Sequence, residues 1–235
     1  MIIGKNFARL VDAVEEMDKA DCDPYKLDRT YTQFMLINRV VSGWRRAYLR
    51  HLRPRFTTAG PTTLLDIGCG GGDIAKALIR WASRDRFRLQ ITAIDPDERA
   101  YHFATSRPAV PGLVYRRAYS SELVSEGWQF DLVVSNHTLH HLGPAELTGL
   151  LADSEVLCRR AAIHSDIARS RLAYVLYFAG TLPFFQRSFI RQDGLTSIRR
   201  SYTAQELRRE LPPGWAVEQD SRFRNLLIFE RGADA

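Results

Sequence analysis

The sequence predicts an α/β protein built on a doubly wound, mostly parallel sheet of seven strands. From about residue 62 onward, short apolar runs alternate with segments of helical spacing, which is the pattern of successive strand–helix units. A run of glycines separates the first of these strands from the helix that follows it. Because strand–helix–strand crossovers are right-handed, the strands are expected to lie parallel, with ligands bound at their carboxyl ends.

The individual elements can be placed in order along the chain. The predicted strands are 63–67, 89–94, 113–119, 130–135 and 161–167, followed by a closing pair at 215–219 and 225–230. The predicted helices are 73–83, 97–105, 121–124, 145–158 and 203–211. The helix at 145–158 begins after Gly143-Pro144, a favourable helix start because proline is well tolerated in the first turn.

Two segments lie outside this series. Residues 1–60 are predicted to form a helical cover, because apolar side chains between residues 31 and 49 recur at the spacing of one long amphipathic helix. Residues 61–235 are predicted to form the core, with an apolar and aromatic insertion at about 169–200. We expect this insertion to be a helical lid.

Composition excludes several classes of protein. Hydrophobic residues make up 45% of the chain and charged residues 26%, as in folded globular proteins. The longest apolar stretch, residues 172–185, is about 14 residues long, and a transmembrane helix needs roughly 20. Residues 1–17 lack the apolar core of a signal peptide, and the cysteines form no CxxC pair. We therefore expect a cytoplasmic protein without disulfides or a cysteine zinc site.

The net charge of +6 raises the question of nucleic-acid or membrane binding. The basic residues are scattered and nearly all arginine, with no run of five, so we interpret the charge as compositional bias and do not expect a nucleic-acid partner. Peripheral contact with lipid headgroups stays open, as does the binding of an acidic acceptor. Either role would use the arginines of the insertion, Arg169, Arg171, Arg187 and Arg191.

Residues 64–73 are the most informative stretch of the sequence. Gly68 and Gly70 permit a sharp turn and a close ligand approach, and the following helix offers free N–H groups. A dinucleotide fingerprint would require glycine in place of Asp73, and no GK[ST] follows for a phosphate loop. Asp95 ends the second strand, where a carboxylate can accept both hydroxyls of a ribose. A turn without a ligand and an exposed surface aspartate are the alternatives.

These residues resemble the class I S-adenosylmethionine-dependent methyltransferases, through residues 64–72, 94–96 and 130–136. Residues 135–142 resemble the small-molecule branch, which includes quinone and phenolic methyltransferases. The resemblance covers about residues 60–168 and implies S-adenosylmethionine as the cofactor. The cofactor-binding residues that it implies are Asp66, Gly68, Cys69, Gly70, Asp95, Pro96, Ala118, Tyr119 and Asn136.

The chemistry of methyl transfer points to two candidate catalytic residues. A sulfonium donor is already activated, so the protein must mainly align and desolvate the reactants, but a phenol acceptor still benefits from a base. His140 and His141 follow the fourth strand at the ligand-binding edge, and histidine titrates in the useful range. The alternative is that they pack the start of the next helix. No metal is expected, because Ser135-Asn136 has no aspartate beside it.

The sequence therefore predicts an enzyme that methylates a small hydrophobic acceptor such as a phenol, a quinol or a polyketide. O-methylation is favoured, and C-methylation of such a ring is a close variant. An RNA-modifying methyltransferase and a catalytically silent cofactor-binding protein are the alternatives, and no oligomeric state is predicted. Aromatic side chains are expected to cover the acceptor, with core packing as their alternative duty: Tyr31, Phe34, Tyr174, Tyr177, Phe178, Phe184 and Phe185.

Overall fold

The computed structural model describes residues 7–41, 43–181, 185 and 187–232, and of residues 35–41 only the backbone. Its strands form one seven-stranded sheet. They are β1 (Thr62–Ile67), β2 (Leu89–Ile94), β3 (Leu113–Arg116), β4 (Phe130–Asn136), β5 (Cys158–Ile167), β6 (Trp215–Ser221) and β7 (Arg224–Glu230). The order across the sheet is β3-β2-β1-β4-β5-β7-β6.

The predicted doubly wound, mostly parallel sheet is confirmed. Strands β1 to β5 pair in parallel, and β7 lies antiparallel between β5 and β6. The strand order reverses between β1 and β4, and this is the place where open α/β sheets bind their ligands. Ile67 at the end of β1 pairs with both Ile94 and Ser135, so the ends of β1, β2 and β4 meet at one edge.

The helices of the described residues alternate with these strands. They are α1 (Pro24–Val41), α2 (Trp44–Ala47), α3 (Asp73–Arg84), α4 (Glu98–Thr105), α5 (Ser120–Ser125), α6 (Pro144–Leu157), α7 (Arg171–Thr181), α8 (Ile190–Arg200) and α9 (Ala204–Glu210). Short helical turns at Tyr48–Leu52 and Arg53–Arg55 follow α2, and others occur at Glu16–Asp18 and Leu139–His141. In the described part of the chain, no helix has both the length and the apolar character that a membrane crossing requires.

The prediction of one long N-terminal helix was wrong. Helix α1 ends at Val41, and Gly43 adopts a left-handed φ of 64° before α2 begins. The side chains of Trp44 and Tyr48 are fully buried in the main core, against α3 and the sheet. This part of the segment therefore packs into the main core. The division into a cover of residues 1–60 and a core of residues 61–235 stays a prediction.

Helices cover both faces of the sheet. One face packs against α2, Tyr48–Leu52 and α3, and the other packs against α5, α6 and α9. Because β1 and β4 are covered on both sides, their side chains are almost all buried. Burying one such leucine or valine contributes about 1.5–3 kcal/mol, so the strands that carry the candidate site are firmly held.

The insertion after β5 contains the helices α7 and α8, so it is helical as expected. Its role as a lid stays a prediction. Helix α8 packs against the turns Glu16–Asp18 and Leu139–His141, which brings the N-terminal segment onto the carboxyl edge of the sheet. Helix α7 packs against α8 and exposes Leu172, Val175, Leu176 and Phe178. Pro183 and Phe184, between the two helices, lie outside the described residues.

Candidate functional site

The glycine loop, residues 68–72, joins β1 to α3 and has backbone conformations that favour glycine. Gly70 and Gly72 have φ values of 50° and 73°. A Cβ at Gly72 would lie 2.0 Å from the Tyr115 hydroxyl oxygen, so the loop closes tightly onto the sheet there. At Gly70, a Cβ would meet no heavy atom of the described residues within 4 Å, its chain neighbours apart. Open space therefore lies above Gly70.

Asp95 holds its carboxylate beside this open space. The backbone N–H of Gly70 donates to Asp95 Oδ2 at 2.8 Å, and the N–H of Asp97 donates to Oδ1 at 3.0 Å. Burial raises the pKa of Asp95, while these two donors act in the opposite direction. Each carboxylate oxygen can accept a further hydrogen bond, so the pair can take two neighbouring hydroxyls.

Asp66 lies deeper, on β1. Its Oδ2 has no hydrogen-bond partner among the described residues, although the side chain is only 1% exposed. Burial raises the pKa of Asp66 well above its usual range, and the charges of Asp73 and Asp95 raise it further. A buried polar atom without a partner is costly, and such groups are concentrated at functional sites. This oxygen is suited to a donor or a cation supplied by a ligand.

The other predicted cofactor residues occupy different parts of the same edge. Cys69 is buried in the loop, where its N–H donates to the Ile94 carbonyl at 3.0 Å. Asn136 ends β4, and its Oδ1 accepts from Trp44 Nε1 at 2.8 Å, which orients the amide. Ala118 and Tyr119 follow β3, which ends earlier than predicted; Ala118 is buried and Tyr119 is exposed. Their contact with a cofactor, like that of Pro96, stays a prediction.

His140 is buried between two carboxylates. Its Nδ1 lies 2.8 Å from Asp166 Oδ1, and its Nε2 lies 3.3 Å from Glu15 Oε1. Burial lowers the pKa of His140, but the two carboxylates outweigh it and raise that pKa to about 10. Near neutral pH the ring therefore carries a proton on each nitrogen. This arrangement argues against His140 as a base and favours the packing alternative.

The two carboxylate partners were missed by sequence reasoning. Burial raises the pKa of Glu15, but His140 lowers it more, to about 2. Asp166 is affected in the same way, and its pKa also lies below its usual range. Asp166 carried a usable signal, because it ends β5 at the same edge as Asp66 and Asp95. Glu15 precedes α1, far away in the sequence, and nothing local marks it.

His141 is the more accessible histidine. Its side chain is 31% exposed, and its Nδ1 lies 3.2 Å from Asp18 Oδ2. The rings of His140 and His141 are 4.2 Å apart between centroids. Asp18 is also 3.7 Å from Arg200 Nη1, so α8 helps to place it. The catalytic role of His141 stays a prediction.

Several of the predicted aromatic cover residues pack inside the protein. Tyr31 is buried and its ring lies 5.0 Å from that of Phe103, while the Tyr177 hydroxyl donates to the Ile190 carbonyl at 2.8 Å. Tyr174 contacts the ring of Phe7, and Phe178 contacts Arg191. For Tyr31 and Tyr177 these contacts favour the alternative duty of core packing. That aromatic side chains cover an acceptor stays a prediction.

The part of the chain that forms this site matches a known protein family. Residues 64–160 match the Methyltransf_25 family model, described as a methyltransferase domain. Residues 64–160 are thus similar to a methyltransferase domain. The match begins in β1, contains the glycine loop, Asp95, Asn136 and both histidines, and ends in β5. Such a match is what the predicted resemblance to the class I S-adenosylmethionine-dependent methyltransferases requires.

Curated relatives belong to one group. The ubiquinone biosynthesis O-methyltransferase of Caulobacter vibrioides is 36% identical over 83 residues, which are 34% of this chain and 31% of that protein. The enzyme of the same name from Methylobacterium sp. is 26% identical over 169 residues, 68% of this chain and 61% of that protein. The similarity therefore spans less than two thirds of either relative.

Solved structures show the same fold at low identity. The plantazolicin methyltransferase BpumL, in complex with a desmethyl analogue and S-adenosylhomocysteine, has a TM-score of 0.55 at 12% identity and covers 88% of this chain and 97% of its own. The DszA carbon methyltransferase has a TM-score of 0.54 at 15% identity, over 83% of this chain and 53% of its own. The methyltransferase fold therefore extends well beyond residues 64–160.

Proposed function

We propose that this protein transfers the methyl group of S-adenosylmethionine to a small aromatic acceptor, forming an O-methyl ether. The observation that carries the proposal is the Asp95 carboxylate, which is tied to the Gly70 N–H beside open space within a methyltransferase domain. The names of the curated relatives, O-methyltransferases of ubiquinone biosynthesis, support a phenol or quinol acceptor. Methylation of a ring carbon of such an acceptor is a close variant.

The residues at the strand ends fit this cofactor. Asp95 would accept the two ribose hydroxyls, as its remaining lone pairs allow. The partnerless oxygen of Asp66 would accept from the ammonium group of the methionine portion. Carboxylates at this edge attract a fixed positive charge, such as a sulfonium, and would repel a pyrophosphate. When bound, the cofactor supplies an activated methyl group.

The protein's own task is then to align the acceptor and exclude water. His140 is held as a cation between Asp166 and Glu15, so in this proposal it positions the turn Leu139–His141 and does not take a proton. His141, oriented by Asp18 and partly exposed, is left to assist the loss of the acceptor's proton. The N-terminal segment and α8 supply the groups around it.

Replacing Asp95 with Ala should weaken the binding of S-adenosylhomocysteine by about 1–3 kcal/mol, or roughly 5- to 150-fold, because two hydroxyls lose their acceptor. Isothermal titration calorimetry of the variant and the parent protein measures this difference. Asp153→Ala is the matched control, since Asp153 is half-buried on α6 and bonds Ser120. Equal affinities for the Asp95 and Asp153 variants would place the ribose elsewhere, and saturation by a nicotinamide dinucleotide instead would overturn the proposed function.

The acceptor class can be tested by a scan with methyl-labelled cofactor. Phenols, quinols and aromatic polyketides should give a labelled O-methyl ether, whereas short RNAs should give none. Mass fragmentation of the product separates methyl on oxygen from methyl on ring carbon. Labelled RNA with unlabelled phenols would contradict a small-molecule acceptor.

A further inference from the structure

We propose that Glu15, His140 and His141 bind one divalent metal ion, with zinc as the best match. Each of the three side chains offers one ligand atom, and these atoms lie within 4.8 Å of one another. Two imidazoles and one carboxylate are a donor set of catalytic zinc sites, which keep a fourth position open for water or substrate. This inference departs from the expectation of no metal, which considered only carboxylate and amide oxygens near β4.

Asp166 supplies a second, independent feature of such sites. A metal-binding histidine usually donates its other ring N–H to a carboxylate, which fixes the direction of the ring. Here Asp166 accepts from Nδ1 of His140 at 2.8 Å and also from the His140 backbone N–H at 2.7 Å. As a result, Nε2 of His140 is aimed at Glu15, and a metal bound there would displace to solvent the proton that this nitrogen carries in the metal-free protein.

The spacing of the ligand atoms is close to what zinc needs. Two ligands at about 2.1 Å from zinc, separated by a tetrahedral angle, lie about 3.4 Å apart. The distance from His140 Nε2 to Glu15 Oε1 is 3.3 Å. Glu15 is held by a hydrogen bond from the Ser197 hydroxyl at 2.8 Å. His141 is the partly exposed member, so its side chain is the one that can adjust to complete the site.

The charges around the cluster also favour a cation. Three carboxylates approach the two rings from two parts of the chain: Glu15 and Asp18 from the N-terminal segment and Asp166 from the end of β5. Arg200 approaches from α8, 3.9 Å from Glu15 and 3.7 Å from Asp18. A divalent ion would offset the remaining negative charge at a position where the acidic groups converge.

A role for the metal follows if the proposed function is right. The turn Leu139–His141 follows β4 and Asp95 follows β2, so the cluster and the proposed cofactor site lie at the same carboxyl edge of the sheet. A hydroxyl bound to zinc loses its proton far more readily than a free one. The acceptor's proton would pass to solvent, its oxygen would form the bond to the methyl carbon, and the electron pair of the breaking carbon–sulfur bond would stay on sulfur. His141 would then act as a ligand.

The test is a zinc titration of the full chain without an affinity tag, after stripping with a chelator. With a competing chromophoric chelator, we expect one zinc per chain, and we expect His141→Ala to bind at least tenfold more weakly. His102→Ala is the matched control, because His102 is a 70% exposed histidine on α4 that also faces a carboxylate, Glu98, at 3.4 Å. The His102→Ala variant should bind zinc as tightly as the parent protein does. No stoichiometric binding by the stripped parent, or equal affinities for both variants, would overturn the proposal.

A second variant and a spectrum distinguish the loss of a metal ligand from a loss of folding. Glu15→Gln keeps the size of the side chain, and circular dichroism checks that it folds. With cobalt in place of zinc, the parent should show the visible absorption of a four-coordinate site, and a folded Glu15→Gln should lack it; an identical spectrum would count against Glu15 as a ligand. Neither measurement uses cofactor or acceptor. Failure of metal binding would therefore leave the proposed methyl transfer standing, and metal binding without methyl transfer would overturn only the latter.

Discussion

Replacing Asp166 with Ala is expected to lower the free energy of unfolding by about 3–5 kcal/mol, because the buried His140 cation loses the nearer of its two carboxylate partners and keeps only Glu15. Asp166 bonds both Nδ1 and the backbone N–H of His140, at 2.8 and 2.7 Å, and both side chains are almost fully buried. Urea unfolding at neutral pH, with a chelator present to remove any metal, measures the difference. Asp166→Asn should cost less, since an amide oxygen can still accept from His140.

An exposed ion pair provides the control for this prediction. Glu126 pairs with Arg116 at the surface, where water screens the two charges, so Glu126→Ala should change the free energy of unfolding far less than Asp166→Ala does. A similar small loss for Asp166→Ala would show that His140 does not depend on its buried partner.

The same contact predicts how stability changes with pH. The pKa of His140 is about 10 in the folded protein and about 6.5 in an unfolded chain, so the folded state binds the proton more tightly. This contribution is complete below pH 6.5 and is lost as the pH rises toward 10. We expect the loss of stability over this window to be smaller in Asp166→Asn than in the parent protein.

The sheet and its ligand-binding edge were predictable because their signals are local. Each buried strand is a short apolar run, and the glycines and Asp95 follow directly after β1 and β2. Parallel strands place these ends at one edge, whatever the rest of the chain does. The N-terminal helix was misjudged because both of its parts have helical spacing. A single glycine within such a pattern is only a weak sign of a break, although Gly43 marks one here.

The surroundings of the histidines could not be predicted in the same way. Glu15 and Asp18 precede α1, and they reach His140 and His141 only because α8 packs against both turns. No pattern within a short window links residues so distant in sequence. The two histidines were correctly placed at the ligand edge, but their separate environments follow from tertiary contacts: one is buried between carboxylates, the other partly exposed.

Alanine substitutions in the glycine loop should separate folding from cofactor binding. Gly72→Ala forces a Cβ onto the Tyr115 hydroxyl at a φ of 73°, so conformational strain of about 1–2 kcal/mol adds to crowding of about 1–3 kcal/mol. We expect a loss of unfolding free energy of about 2–5 kcal/mol. Gly70→Ala has a similar left-handed φ but meets open space, so its stability should fall by only about 1–2 kcal/mol.

For the binding of S-adenosylhomocysteine, Gly70→Ala should be the more damaging of the two substitutions. A methyl group at Gly70 projects into the space proposed for the cofactor, so Gly70→Ala should bind it at least about tenfold more weakly, equivalent to about 1.4 kcal/mol. Chemical denaturation and calorimetry on the two variants supply both readouts. Because Gly70 and Gly72 lie in one loop and receive the same substitution, a general loosening of the loop would affect both quantities in both variants. Full affinity in a folded Gly70→Ala would show that the open space above this loop is not where the cofactor lies.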